Sequence, residues 1–211
     1  ALLYVFAMMS LGVYGVVRFD AAAPEILKME GSEKLDATAL SFVANPPEPI
    51  ARRLKVKNWY FRDSNWSPDF AQASQRALEI YKKENGTAAA EIDAVIGFTP
   101  TVIEKILEIS GPISAEGMEF NAQNFTEKLE YEVEYGYKER GQQISERKNL
   151  IADVAEALIA KTKGDILTNW SKYFSLGQKM LNEKQIIVYT TDENAQNILR
   201  QKNWAGEMLA A

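Results

Sequence analysis

Arg62, Asp63 and Asp69 fall within one segment, Arg62-Asp63-Ser64-Asn65-Trp66-Ser67-Pro68-Asp69-Phe70. A guanidinium grips phosphate or carboxylate through its planar fork, and a carboxylate beside it holds a divalent ion or takes a proton. Asp63 is thus a candidate catalytic group and metal ligand, and Arg62 and Asp69 are candidate ligand-binding residues. The apolar run Trp59-Tyr60-Phe61 just before them reads as a strand. That would put the Arg–Asp pair outside the carboxyl end of a sheet strand, where α/β folds hold ligands. The plainer alternative is that Arg62 and Asp63 stabilise the loop while Ser67 or Asp69 caps the next helix. Trp66 and Pro68 offer a face for stacking a sugar or docking a partner; alternatively, Trp66 anchors the loop to the core.

Arg140 and Arg147, with Lys148, make a basic cluster near a helix start. Together with Arg62 they would cradle a phosphate; alone they are an ordinary exposed set. Asp93 reads as a ligand or as a strand-start residue capping a turn. Glu127, Glu130 and Glu134 recur at three- and four-residue spacing, which suits either cation binding or, more plainly, a solvated helix face. No Gly-rich phosphate loop, nucleophile elbow or metalloprotease motif occurs.

The residue inventory limits the chemistry. There is no cysteine and no histidine among the 211 residues. Thiolate catalysis, Ser-His-Asp chemistry and imidazole or thiolate metal sites are therefore excluded. Acid–base work falls to carboxylates, Lys, Tyr or water. A side-chain metal site would suit a hard, oxygen-ligated ion such as Mg²⁺ or Ca²⁺. The net charge of -5 argues against a dedicated nucleic-acid binder, which needs a basic face. With 46% hydrophobic and 25% charged residues, the chain has the composition of a globular protein.

The elements that must position these residues follow from periodicity and punctuation. Residues 1–17 are apolar apart from Ser10 and two tyrosines. They read as two strands, about Leu2–Phe6 and Val13–Phe19, or as the remnant of a membrane anchor. Ile26–Glu30 suits a hairpin partner after a turn near Pro24, and the prolines of residues 45–49 mark a loop. Phe70, Ala73, Ala77, Ile80 and Tyr81 share one face of a helix over about 69–84, closed by Asn85-Gly86. Ala94–Phe98 is a strand. Thr99-Pro100 opens a helix with Thr99 as N-cap, stopped by Gly111-Pro112. Asn121 caps a helix through Phe125 and Leu129. Further helices are expected over about Ser145–Lys161, Leu167–Asn182 and Asp192–Lys202, with a strand at Gln185–Tyr189. This alternation predicts a single α/β domain over residues 1–211, a mixed central sheet flanked by helices.

Four pieces recur together: the segment from Arg62 to Phe70; Ile92-Asp93-Ala94-Val95-Ile96 followed by Ile109-Ser110-Gly111-Pro112-Ile113; Glu146-Arg147-Lys148-Asn149-Leu150; and Asn203-Trp204-Ala205-Gly206. With them the chain resembles the bacterial domain-of-unknown-function family numbered 4012, over about Gly12 to Gly206. Members are typically anchored by an N-terminal membrane helix and face the cell exterior, so the resemblance implies an extracytoplasmic location. One departure is visible. Where the family carries an Arg-Pro-Thr-Gly-Gly-Phe-like stretch, this chain reads Phe6-Ala7-Met8-Met9-Ser10-Leu11, which removes an anion-binding Arg and Gly pair.

The order of elements is also similar to that of the LytR-CpsA-Psr phosphotransferases, which attach polyprenyl-pyrophosphate-linked glycopolymers to the cell wall. Arg62, Asp63, Arg140 and Arg147 fall at comparable places. Gly111-Pro112-Ile113 stands where that family has Gly-Gly-Val, and Ile144 where another basic residue is expected. The expectation is an extracytoplasmic cell-envelope module without catalytic activity, binding cell-wall glycan or other envelope proteins. Membrane attachment would come through a segment upstream of or at residues 1–17, with no nucleic-acid partner and with self-association left open. The alternative is a Mg²⁺-dependent phosphotransferase on a lipid-linked glycopolymer.

Overall fold

β-branched and aromatic residues favour extended backbone, and Val13–Asp20 forms a strand at the heart of a five-stranded sheet. A computed structural model describes residues 2–9, 12–20, 23–38, 44–143 and 146–208. The strands are β1 (Leu2–Met9), β2 (Val13–Asp20), β3 (Ala23–Gly31), β4 (Ala94–Phe98) and β7 (Ile186–Thr190), in spatial order β3-β2-β1-β4-β7. β1 pairs antiparallel with β2, in register Phe6 to Val16, and parallel with β4, in register Phe6 to Val95. β7 closes the far edge antiparallel to β4, with Val188 opposite Ile96. A separate hairpin joins β5 (Ile113–Ala115) to β6 (Met118–Phe120). Its turn residues Glu116 and Gly117 both have positive φ, the tight-turn geometry that suits the twist of paired strands.

Helices cover both faces. They are α1 (Ser32–Thr38), α2 (Glu48–Leu54), α3 (Phe70–Lys83), α4 (Pro100–Ser110), α5 (Phe125–Tyr131), α6 (Tyr137–Glu139), α7 (Asn149–Asn182) and α8 (Glu193–Gln201). Side chains alternate across a strand, so β2 contributes to two cores. Tyr14 and Val16 meet Phe61, Ile80, Tyr81 and Val95 on the α3 side. Val13 joins Leu107, Phe120, Leu129 and Ile151 on the α4–α5–α7 side. The fold is a mixed α/β domain, as its alternating pattern predicts.

Several local expectations are corrected. Trp59-Tyr60-Phe61 is no strand: a 3-10 helix spans Phe61–Trp66, and the Arg–Asp pair lies inside it. Phe61 is buried with its ring 5.2 Å from Tyr14 and 5.7 Å from Tyr81. Apolar run length alone does not separate a strand from a buried turn. Pro24 lies within β3, opposite Phe19, rather than at a turn. Pro49 falls in the first turn of α2, where a missing N–H costs nothing, so the proline-rich stretch runs into a helix. Thr99 makes no side-chain cap; its hydroxyl bonds Gln185 instead. The two helices expected over 145–161 and 167–182 run on from one another as Asn149–Asn182, and the kink between them falls at Asn169 rather than before Leu167. Ser145, where the first of them was expected to start, lies outside the described residues, as do Ile144, Ser10 and Leu11.

Candidate functional site

The segment from Arg62 to Phe70 is held from four directions. Asp36, on α1, is almost wholly buried; its Oδ1 accepts from the Phe61 N–H at 2.8 Å and its Oδ2 from Arg62 Nη1 at 2.9 Å. The Arg62 guanidinium also lies over the Tyr60 ring, 4.3 Å from its centroid. The Trp59 indole N–H donates to the Asp63 carbonyl at 2.9 Å. Asp69 caps α3, its Oδ1 accepting from the Gln72 N–H and its Oδ2 from the Met208 N–H, each at 2.9 Å. Gly206 closes the fourth side by accepting from the Phe70 N–H at 3.0 Å. The Arg62–Phe70 and Asn203–Gly206 pieces, far apart in sequence, are therefore one packed unit.

Charge at this site is balanced internally. Arg62 stands among the carboxyls of Asp36, Asp63 and Glu84. Burial pushes the Asp36 carboxyl up, against the pull of Arg62 and the backbone N–H groups. Burial pushes Glu84 up to about 7, and neighbouring Asp36 adds to the rise. Both Glu84 carboxyl oxygens are enclosed, with the Asp36 carboxyl in hydrogen-bonding reach. A carboxyl so placed is more stable with its proton on. An arginine already answered by a buried carboxylate has little free charge for a phosphate. Asp63 Oδ2 is enclosed and lies 3.8 Å from Arg62 Nε. Among the described residues no group of three metal-ligating side chains surrounds it.

Arg140 pairs with Glu132 and lies 3.6 Å from Glu116, and Arg147 pairs with Glu134 at 3.0 Å. Arg62, Arg140 and Arg147 thus pair with three different carboxylates, Asp36, Glu132 and Glu134. Lys148, next to Arg147, is buried, with its Nζ donating to the Gly12 carbonyl at 3.1 Å and to Glu33 at 2.7 Å. This fixes the start of α7 against the β2–β3 layer and accounts structurally for the Glu146–Leu150 piece. Glu127, Glu130 and Glu134 are exposed. The Asp93 carbonyl accepts from Thr191, so at least its backbone serves the β4–β7 junction.

Trp66 is placed differently. Its side chain is about half exposed, 50%. It forms one wall of a groove of about 520 Å³ with Trp59, Pro68, Gln72, Gln75 and Arg76. The Arg76 guanidinium rests over the Trp59 ring at 4.6 Å and pairs with Glu79 at 2.6 Å. Gln75 makes no side-chain hydrogen bond among the described residues, which leaves its amide for a ligand. Gln72, Gln75, Arg76 and Glu79 were not singled out from the sequence. Their three- and four-residue spacing on the polar side of α3 was the available signal.

The X-ray structure of the Lin1025 protein from Listeria innocua is similar to this chain, with a TM-score of 0.52 at 10% identity, covering 97% of this chain and 79% of that one. Lmo1026 from Listeria monocytogenes aligns at a TM-score of 0.46 and 10% identity, over 95% of this chain and 76% of that one. At such identity the likeness to Lin1025 shows a shared fold. No curated protein matches the chain. The family described as "Protein of unknown function (DUF4012)" matches residues 10–134, and the chain belongs to it.

Proposed function

We propose that this domain is a non-catalytic module of the cell envelope that binds glycan in the groove beside Trp66. One observation carries the reading: a half-exposed indole at the wall of an open groove lined by amide and guanidinium groups. Sugar rings present C–H faces that stack on aromatic rings, and hydroxyls that pair with amides and charged forks. The envelope location is the one the family resemblance implies. The test is titration with solubilised cell-wall glycan strands, followed by tryptophan fluorescence and calorimetry. Binding by the parent chain, lost in Trp66→Ala at unchanged melting temperature, is the expected result. Absence of binding, or binding indifferent to Trp66→Ala, refutes the reading.

A second reading, a Mg²⁺-dependent phosphotransferase on polyprenyl-pyrophosphate-linked glycopolymers, draws support from a separate cavity. A space of about 200 Å³ between the sheet and α4, α5 and α7 is walled almost entirely by carbon, including Val17, Phe98, Ile103, Leu129 and Leu158. Such a lining suits a hydrocarbon chain. Against it stand the three arginines, each engaged by its own carboxylate. Binding of a polyprenyl diphosphate with Mg²⁺, abolished by Asp63→Ala, would reverse the preference.

A further inference from the structure

α7 is well anchored at its start by Leu150, Ile151, Val154 and Leu158 and again near its end by Met180. Between Leu158 and Met180 none of its residues is buried. At 1.5 Å per residue this is roughly 30 Å of helix without a fully buried side chain. Yet the stretch is not polar throughout. Ile166 is 47% exposed, Leu167 88%, Trp170 63% and Phe174 58%. Ile166 and Leu167 precede the dihedral break at Asn169, and Trp170 and Phe174 follow it one turn apart, with their rings 6.2 Å from each other. Thr168, Ser171, Lys172 and Ser175 are exposed as well, while Thr162, Asp165, Asn169, Tyr173 and Leu176 are half-buried.

The charge of this stretch is opposite to that of the whole chain. Residues 161–179 hold four lysines against one aspartate, net +3, in a chain of net -5. Lys161, Lys163 and Lys172 are exposed and have no carboxylate partner among the described residues. The single aspartate, Asp165, is engaged by Asn169 and by the Tyr173 hydroxyl. Exposed Trp, Phe and Leu, with unpaired lysines before them at Lys161 and Lys163 and among them at Lys172, suit the boundary of a bilayer. There the apolar side chains enter the acyl edge and the lysines meet anionic headgroups. Two copies of the same patch would bring like charges together, which disfavours self-pairing. No helix among the described residues is long and apolar enough to cross a membrane.

We propose that residues 161–179 of α7 dock on an anionic lipid bilayer. This is independent of the glycan groove. The test is co-sedimentation of the chain with vesicles of phosphatidylcholine mixed with phosphatidylglycerol, against phosphatidylcholine alone. The expected result is binding to the anionic vesicles, weakened at least about tenfold by Leu167→Glu with Trp170→Ser. Lys163→Gln with Lys172→Gln should lower binding toward the level on neutral vesicles. All four side chains are exposed, so folding should survive, and circular dichroism verifies it. The proposal is overturned if the parent chain does not bind the anionic vesicles, or if Leu167→Glu with Trp170→Ser binds them equally well. It is also overturned if sedimentation velocity without lipid finds a dimer that this pair of substitutions dissolves.

Discussion

Arg62 Nη1 and Asp36 Oδ2 meet at 2.9 Å with the aspartate side chain only 2% exposed. The pair joins the 3-10 helix to α1, and removing either partner has unequal consequences. Arg62→Ala strands a buried carboxylate and should cost about 2–4 kcal/mol, read by urea denaturation at pH 7. Asp36→Asn leaves the more exposed Arg62 free to turn to water and should cost less. Equal losses would mean that the two groups do not act as a pair.

Glu84 gives stability a pH dependence with a defined sign. Its folded carboxyl titrates near 7 and its ordinary value is 4.5. Between these values the folded chain keeps a proton that the unfolded chain has lost. The contribution is complete below the ordinary value, declines through the window, and is gone above about 7. At ~1.4 kcal/mol per unit, the swing is roughly 3 kcal/mol. Denaturation at pH 5 and pH 8 should show it, and Glu84→Gln should flatten the difference.

The two aromatic residues that bracket the 3-10 helix should separate folding from binding. Phe61 is 4% exposed and packed between Tyr14 and Tyr81, so Phe61→Ala should cost about 3–5 kcal/mol. Trp66→Ala should shift stability by less than about 1 kcal/mol while removing glycan affinity. Thermal melts combined with glycan titration check both halves.

Asp69 is expected to act through structure. Asp69→Ala removes the α3 cap and the Met208 contact together, for about 2 kcal/mol. Asp69→Asn keeps one acceptor oxygen and should recover part of this. Amide exchange at the Gln72 and Met208 N–H groups reads the two bonds separately.

Much of the architecture was legible because it rests on local patterns. Ala94–Phe98 and the helix after it are bounded by Pro100 and Gly111, and Asp69 and Asp192 cap helices through bonds spanning three residues. The Trp59–Phe61 run misled because a buried 3-10 helix demands the same apolar residues as a strand. The boundary between the two helical stretches was read near Gly164, a poor helix former, but the chain stays helical there, with nothing near the missing side chain, and kinks at Asn169. The site residues divide the same way. Trp66 and Asp69 announced themselves through type and position. Asp36 and Glu84 gave no sign, since their meeting with Arg62 depends on how α1 and α3 pack.

The sheet order also sets how the chain can assemble. β1, β2 and β3 form a meander of strands consecutive in the chain. β4, however, joins beside β1 with Ala94 opposite Val5, and β7 adds Val188 opposite Ile96. Long loops must close before those pairings give any return, and such contacts slow folding. The amino-terminal meander can thus be present early with one side of β1 open. Its protection from proteolysis should mature only as β4 arrives, and the far edge of β4 remains uncovered until β7 joins it.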